Sequence, residues 1–180
     1  TAGNVTTTND DVTYASATTL TGDVLVNTGA GAGAITFSST LDGSFDLGLT
    51  AGTGAIDFQG VVGTTRLGDV TITSAADVTA TTFSAATLTQ VAGSGTTTFN
   101  GAVNTNGAGG IDLTGTDLVV ANTLTTTGTG PVTIDESATA DFTAAGDISA
   151  DGAVSLTAAG GITTAGNVTT TNDDVTYASA

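Results

Sequence analysis

Along the whole chain, apolar and polar residues alternate in short triplets, each opened by a small or turn-forming residue. Val24-Leu25-Val26, Ile35-Thr36-Phe37, Phe45-Asp46-Leu47, Ile56-Asp57-Phe58 and Val70-Thr71-Ile72 set the pattern. Ile111-Asp112-Leu113, Leu118-Val119-Val120, Val132-Thr133-Ile134 and Val154-Ser155-Leu156 continue it. A period of two places alternate side chains on opposite faces of a strand, and β-branched Val, Ile and Thr favour that geometry. The pattern predicts strands of about three to five residues. Starts at 24, 35, 45 and 56 are 11, 10 and 11 residues apart, and the later pair 111 to 132 is separated by 21, the length of two such steps. The spacing loosens between residues 72 and 103 and from 136 to 150, which predicts loops of variable length there. No segment carries an i, i+3, i+4, i+7 apolar stripe, so no helix is expected.

Strand length decides between two all-β architectures. An array of immunoglobulin-like sandwiches needs longer strands and an aromatic-filled core, whereas this chain has two Tyr, six Phe and no Trp. A β-solenoid turns short strands around a thin core and hydrogen-bonds each coil to the coils above and below. The expected fold is therefore all-β, a right-handed parallel β-helix with coils of about 20 residues, the hand being the default for parallel crossovers. Glycines and the pairs Asn100-Gly101 and Asn106-Gly107 are expected to supply positive-φ corners.

A longer period frames the short one. Residues 1–17 read TAGNVTTTNDDVTYASA, and residues 164–180 repeat them letter for letter, a period of 164 − 1 = 163. Residues 1–163 are read as one unit of a tandem array and 164–180 as the start of the next, with both ends expected to be arbitrary cuts in a longer protein. Such a unit holds about eight coils, an axial advance of about 38 Å at ~4.8 Å per coil.

Composition narrows the chemistry. Seventeen acids against one base, Arg66, give a net charge of −16, and the chain has no His, Cys, Met or Lys. That removes imidazole bases, thiolate nucleophiles, disulfides, Schiff bases and the P-loop lysine. Nucleic acid and anionic membrane surfaces are unexpected partners for so acidic a chain, and no apolar run reaches the length of a membrane span. Arg66 is expected to be a surface charge facing a carboxylate.

The remaining candidate sites are few. Asp10 and Asp11, repeated as Asp173 and Asp174, offer oxygen ligands for a weak Ca²⁺ site, against the plainer reading of a polar turn. Asp135 and Glu136 are adjacent, so in a strand they point to opposite faces and cannot flank one glycosidic bond. No cofactor and no enzyme activity are expected. Thr71-Ile72-Thr73 and Thr87-Leu88-Thr89 raise the idea of a threonine ice-binding face, but the intervening apolar residues make them ordinary half-buried strands. Asn4-Val5-Thr6 and Asn167-Val168-Thr169 fit the N-glycosylation acceptor, which makes Asn4 and Asn167 candidate glycan sites.

Three strings carry a family resemblance: Gly22-Asp23-Val24-Leu25-Val26, Gly110-Ile111-Asp112-Leu113-Thr114-Gly115 and the run from Ala150 to Ile162. They resemble the repeat shafts of giant secreted bacterial surface proteins, the filamentous-haemagglutinin-like and autotransporter-type adhesins. The resemblance implies a parallel β-helix exported from a bacterial cell and serving as a stalk or fibre on its surface. The expected partners are adjacent repeats of the same chain or identical subunits stacked end to end. The alternative is an adhesive module whose Thr/Asn/Asp-rich outer face recognises a glycan or a surface.

Overall fold

The computed structural model describes residues 1–178, which contain 23 strands and no helix. Every strand pairing is parallel. The strands wind as a β-solenoid with three faces. Face 1 carries β1 (Val5–Thr6), β4 (Val24–Asn27), β7 (Leu47–Thr50), the second half of β9 (Val62–Ser74), the second half of β11 (Phe83–Gln90), β14 (Ile111–Gly115), β17 (Val132–Glu136), β20 (Val154–Ala158) and β23 (Val175–Ala178). Face 2 carries β2 (Val12–Tyr14), β5 (Ile35–Phe37), β8 (Ile56–Phe58), β10 (Val78–Ala80), β12 (Thr96–Phe99), β15 (Asp117–Val120), β18 (Thr139–Phe142) and β21 (Gly161–Thr164). Face 3 carries β3 (Thr18–Thr19), β6 (Leu41–Asp42), the first halves of β9 and β11, β13 (Val103–Thr105), β16 (Leu124–Thr126), β19 (Ile148–Ala150) and β22 (Val168–Thr170).

Coil length follows from register. On face 1, Val24, Leu47, Val70, Leu88, Ile111, Val132, Val154 and Val175 stack in one column, with steps of 23, 23, 18, 23, 21, 22 and 21 residues. These average slightly above the expected 20, and the shortest step falls where the sequence spacing loosens. Each coil carries three strands, and some of those on face 3, such as Thr18–Thr19 and Leu41–Asp42, are too short to show as alternating triplets.

Alternation explains what is buried. Val24 and Val26, Ile35 and Phe37, Ile56 and Phe58, and Leu47 and Leu49 all point inward. The core is a single column of such residues running the length of the solenoid. Five of the six Phe lie in it; Phe45 stays outside, because the chain buries Leu47 and Leu49 and leaves residue 45 before the strand begins. Along face 2 the rings of Tyr14, Phe37 and Phe58 stack nearly parallel, with centroids 4.7 and 5.4 Å apart, and Phe83, reaching in from face 3, meets Phe58 edge-on at 5.4 Å. Parallel in-register pairing imposes that stacking, since like residues one coil apart lie a strand spacing apart.

Two expectations about local structure are corrected. The positive-φ corners fall at other glycines, such as Gly52 and Gly110, and at Asn9, Thr129 and Asn172, not at Asn100-Gly101 or Asn106-Gly107. Gly101 is required for a different reason: a Cβ there would lie 2.6 Å from the backbone nitrogen of Thr82 in the adjoining coil. Among the described residues the hydrogen-bond partners of Arg66 are not carboxylates. Arg66 lies in a bulge where the six residues 62 to 67 of β9 oppose the three residues 83 to 85 of β11. From there its guanidinium reaches over the next two coils, donating from Nη1 to the carbonyls of Ala85 and Asn104, both at 2.8 Å, and from Nη2 to Asn104 Oδ1.

Candidate functional site

The acidic side chains are organised by the coils they join. A parallel strand stack leaves backbone N–H groups at the corners without a ladder partner, and a carboxylate oxygen one coil away can accept from them. Asp23 Oδ1 accepts the N–H of Asp46 at 3.1 Å, and Asp46 Oδ1 accepts that of Asp69 at 2.7 Å. Asp42 takes the N–H of Thr65, Asp77 that of Thr96, Asp117 that of Thr139 and Asp147 that of Asn167, at 2.6 to 3.0 Å. Much of the acidic charge is therefore inter-coil capping.

The sequence-predicted sites fall within this pattern. Asp11 Oδ1 accepts the N–H of Ala34 at 2.8 Å, and Asn4 Oδ1 that of Leu25 at 2.8 Å. Asp10 accepts the Thr7 hydroxyl through its backbone carbonyl at 2.7 Å, and Asp173 accepts that of Thr170 in the same way at 2.6 Å. The Asp174 carbonyl accepts the N–H of Val154. Asn167 is exposed and donates its N–H to Asp147. Asp10 and Asp11 lie in the first coil and Asp173 and Asp174 in the last, so the two pairs do not meet. Among the described residues no three acidic side chains converge as a metal site requires. Asn4, Asp23, Leu25, Asp46 and Gly48 line a shallow open groove on face 1.

One polar cluster is inside the core. Gln90, Thr97 and Glu136 are each almost fully buried, on β11, β12 and β17. Thr97 Oγ1 donates to Gln90 Oε1 at 2.9 Å, and Gln90 Nε2 donates to the Thr114 carbonyl at 3.4 Å. Two glycines make room: a Cβ at Gly93 would lie 2.5 Å from Gln90 Nε2, and one at Gly115 would lie 2.8 Å from Glu136 Oε2 and 3.2 Å from Gln90 Nε2. Both Glu136 oxygens lack a hydrogen-bond partner among the described residues. Burial, with the Asp117 and Asp135 charges adding to it, pushes the Glu136 carboxyl up to about 7. Asp135 is exposed and Glu136 buried, so the adjacent carboxylates point apart as strand alternation requires. Sequence reading passed over this cluster although a signal was present: Glu136 follows Val132 and Ile134 at spacings of two, and Gln90 follows Leu88 likewise.

The third feature is a pair of open ends. Val5, Val12 and Tyr14 are only partly covered at the first coil. At the last coil Ile162, Thr164, Tyr177 and Ala178 line an open pocket, with Tyr177 49% exposed. The inward positions there continue the core column and have no further coil above them among the described residues. No protein-family model, curated protein or solved structure matches the chain.

Proposed function

We propose that this chain is a segment of an extracellular structural fibre or stalk, built from tandem β-solenoid units and carrying no catalytic activity. The observation that carries the reading is continuation: the second copy of the repeated segment adds further coil strands, β22 and β23, to the stack begun by the first unit. Each added coil contributes a further set of axial hydrogen bonds and core contacts, so stiffness and stability accumulate with length. The open ends are then joints between neighbouring units, where an isolated segment would expose unpaired strand edges. Composition agrees with life outside a cell, since the chain has no Cys or Met to oxidise and a single basic residue for trypsin-like proteases.

Proteins with one, two and three units test the reading. Electron microscopy should show unbranched rods that lengthen by about 37 Å per unit at ~4.8 Å per coil. Beads separated by flexible links would exclude it.

A second reading rests on the outward row of face 2, where Thr13 pairs with Thr36 and Thr79 with Thr98 in register. Hydroxyls aligned from coil to coil, with Asp57 between Thr36 and Thr79, suit a glycan or surface ligand. Retention of the purified protein on a glycan array, lost on replacing these threonines with Val, separates adhesive module from inert shaft.

A further inference from the structure

The two copies of the seventeen-residue segment do not occupy the same sides of the solenoid. In the first copy, Val5 stacks under Val26 on face 1 and Val12 under Ile35 on face 2. In the second, Val168 stacks on Ile148 on face 3 and Val175 on Val154 on face 1. Local structure is nevertheless the same in both. Asn9 and Asn172 turn the corner at φ 64° and 63°, and the Thr7 and Thr170 hydroxyls close it on the carbonyls of Asp10 and Asp173.

A corner of this kind fits more than one edge. Thr28 closes a face 1 to face 2 corner on the Gly33 carbonyl, and Thr126 closes a face 3 to face 1 corner on that of Gly130. The sequence thus dictates a strand, a corner and a strand, and the number of preceding strands dictates the face. From β1 to β21 there are 23 strand positions before β22 opens the second copy, β9 and β11 each counting twice because they turn a corner. With three positions per coil, that is seven coils and two further faces.

Resting on the tandem-array reading above, we infer that consecutive units join out of phase, each starting one face back from its predecessor, a rotation of a third of a turn. The docking partner of the open last coil is the next copy of the same unit, seated with its β1 on face 3. Three units, or 489 residues at 163 each, restore the starting face after 23 whole coils, about 110 Å at ~4.8 Å per coil. Every surface feature of the unit, including the groove beside Leu25 and the Arg66 strap, then points in three directions along the shaft. Such a fibre has no privileged side, and a ligand approaching from any direction meets the same patch within three units.

The chain has no Cys of its own, so paired cysteines report the stacking directly. Ser149 and Thr169 are register partners on β19 and β22, both exposed, and a parallel-strand spacing of ~4.8 Å lies within disulfide reach. S149C/T169C should lose both free thiols on mild oxidation, while S155C/T169C should keep them. An in-phase joint would set Thr169 on face 1 above Ser155 and reverse the two results, which overturns the inference. Cryo-electron microscopy of a three-unit protein supplies the second readout. A repeat of about 37 Å that needs a third-turn rotation to superimpose supports the inference, and superposition by translation alone overturns the phase while leaving the fibre intact. Beads on a string overturn the fibre reading, whatever the thiol result in the single chain.

Discussion

Asp46 accepts the backbone N–H of Asp69, one coil further along the stack, at 2.7 Å. Asp23 holds the N–H of Asp46 in the same way at 3.1 Å, so the corner between faces 3 and 1 is a ladder of carboxylates, each capping its successor. The charge itself is not required, since Asn4 does the same for Leu25 with an amide oxygen.

That equivalence separates two substitutions. Asp46→Asn keeps the acceptor and reduces repulsion within the ladder, and its thermal midpoint should equal or exceed that of the parent. Asp46→Ala leaves the Asp69 N–H to solvent and should cost about 0.5–1 kcal/mol. Gly68→Ala should resemble Asp46→Ala or be worse, because a Cβ there would lie 2.2 Å from Asp46 Oδ1. Equal losses for the Asn and Ala variants would mean that charge, not the hydrogen bond, holds the corner.

Phe58 sits between the stacked ring of Phe37 and the edge-on ring of Phe83, each with its centroid 5.4 Å away. Phe58→Ala removes contacts to both and should destabilise by about 3–5 kcal/mol. Because the coils form a one-dimensional stack, the damage should be local. Hydrogen exchange should accelerate in β5, β8 and β11 and remain slow in β17 and β20; uniform acceleration would mean that the solenoid unfolds as one unit.

Most strands of three residues or more were legible in the sequence, because inward apolar and outward polar side chains alternate along them, with inward polar residues such as Thr97, Thr105 and Glu136 as exceptions. Ile35-Thr36-Phe37 and Val132-Thr133-Ile134 needed no tertiary information. Phe45 misled, since Phe45, Leu47 and Leu49 share one alternation and only the corner's position decides which of them goes inside. The third face was hidden for the opposite reason: Thr18–Thr19 and Leu41–Asp42 are too short to alternate. Arg66 could not be read, because its acceptors at Ala85 and Asn104 come from coils 19 and 38 residues away. The role of the aspartates was hidden likewise, as it depends on which N–H the next coil brings alongside. Face assignment of the repeated segment is the extreme case: identical sequence, two positions, and only the intervening strand count to tell them apart.

Arg66 also sets a protease prediction. Its guanidinium is anchored to two coils, so the only trypsin site in the chain lies in a bulge held down by its own side chain. The native protein should resist trypsin under conditions that cleave a denatured control. Arg66→Lys keeps a cleavable residue but loses the planar fork that reaches the carbonyls of Ala85 and Asn104 together with Asn104 Oδ1. It should be cut markedly faster at position 66, as read by intact mass. Equal rates would mean that the bulge is held by its backbone, including the bond from the Thr65 N–H to Asp42.

Glu136 links the core to pH. An unfolded chain releases its proton near the ordinary value of 4.5, whereas the folded one holds it to about 7. Between those values the native state binds the extra proton, so stability should fall as pH rises from about 4.5 through about 7, then level off, a loss of roughly 3 kcal/mol from this one group. Glu136→Gln keeps the shape and has no charge to bury. It should match the parent near pH 4, exceed it at pH 8 and lack the intervening decline, as measured by denaturant titration across that range. Parallel curves for the two proteins would place the Glu136 carboxylate in water rather than in the core. A difference that opens between about pH 4.5 and about 7 and persists above it would identify this carboxyl as the group through which the solenoid loses stability in neutral and alkaline surroundings and regains it in acid.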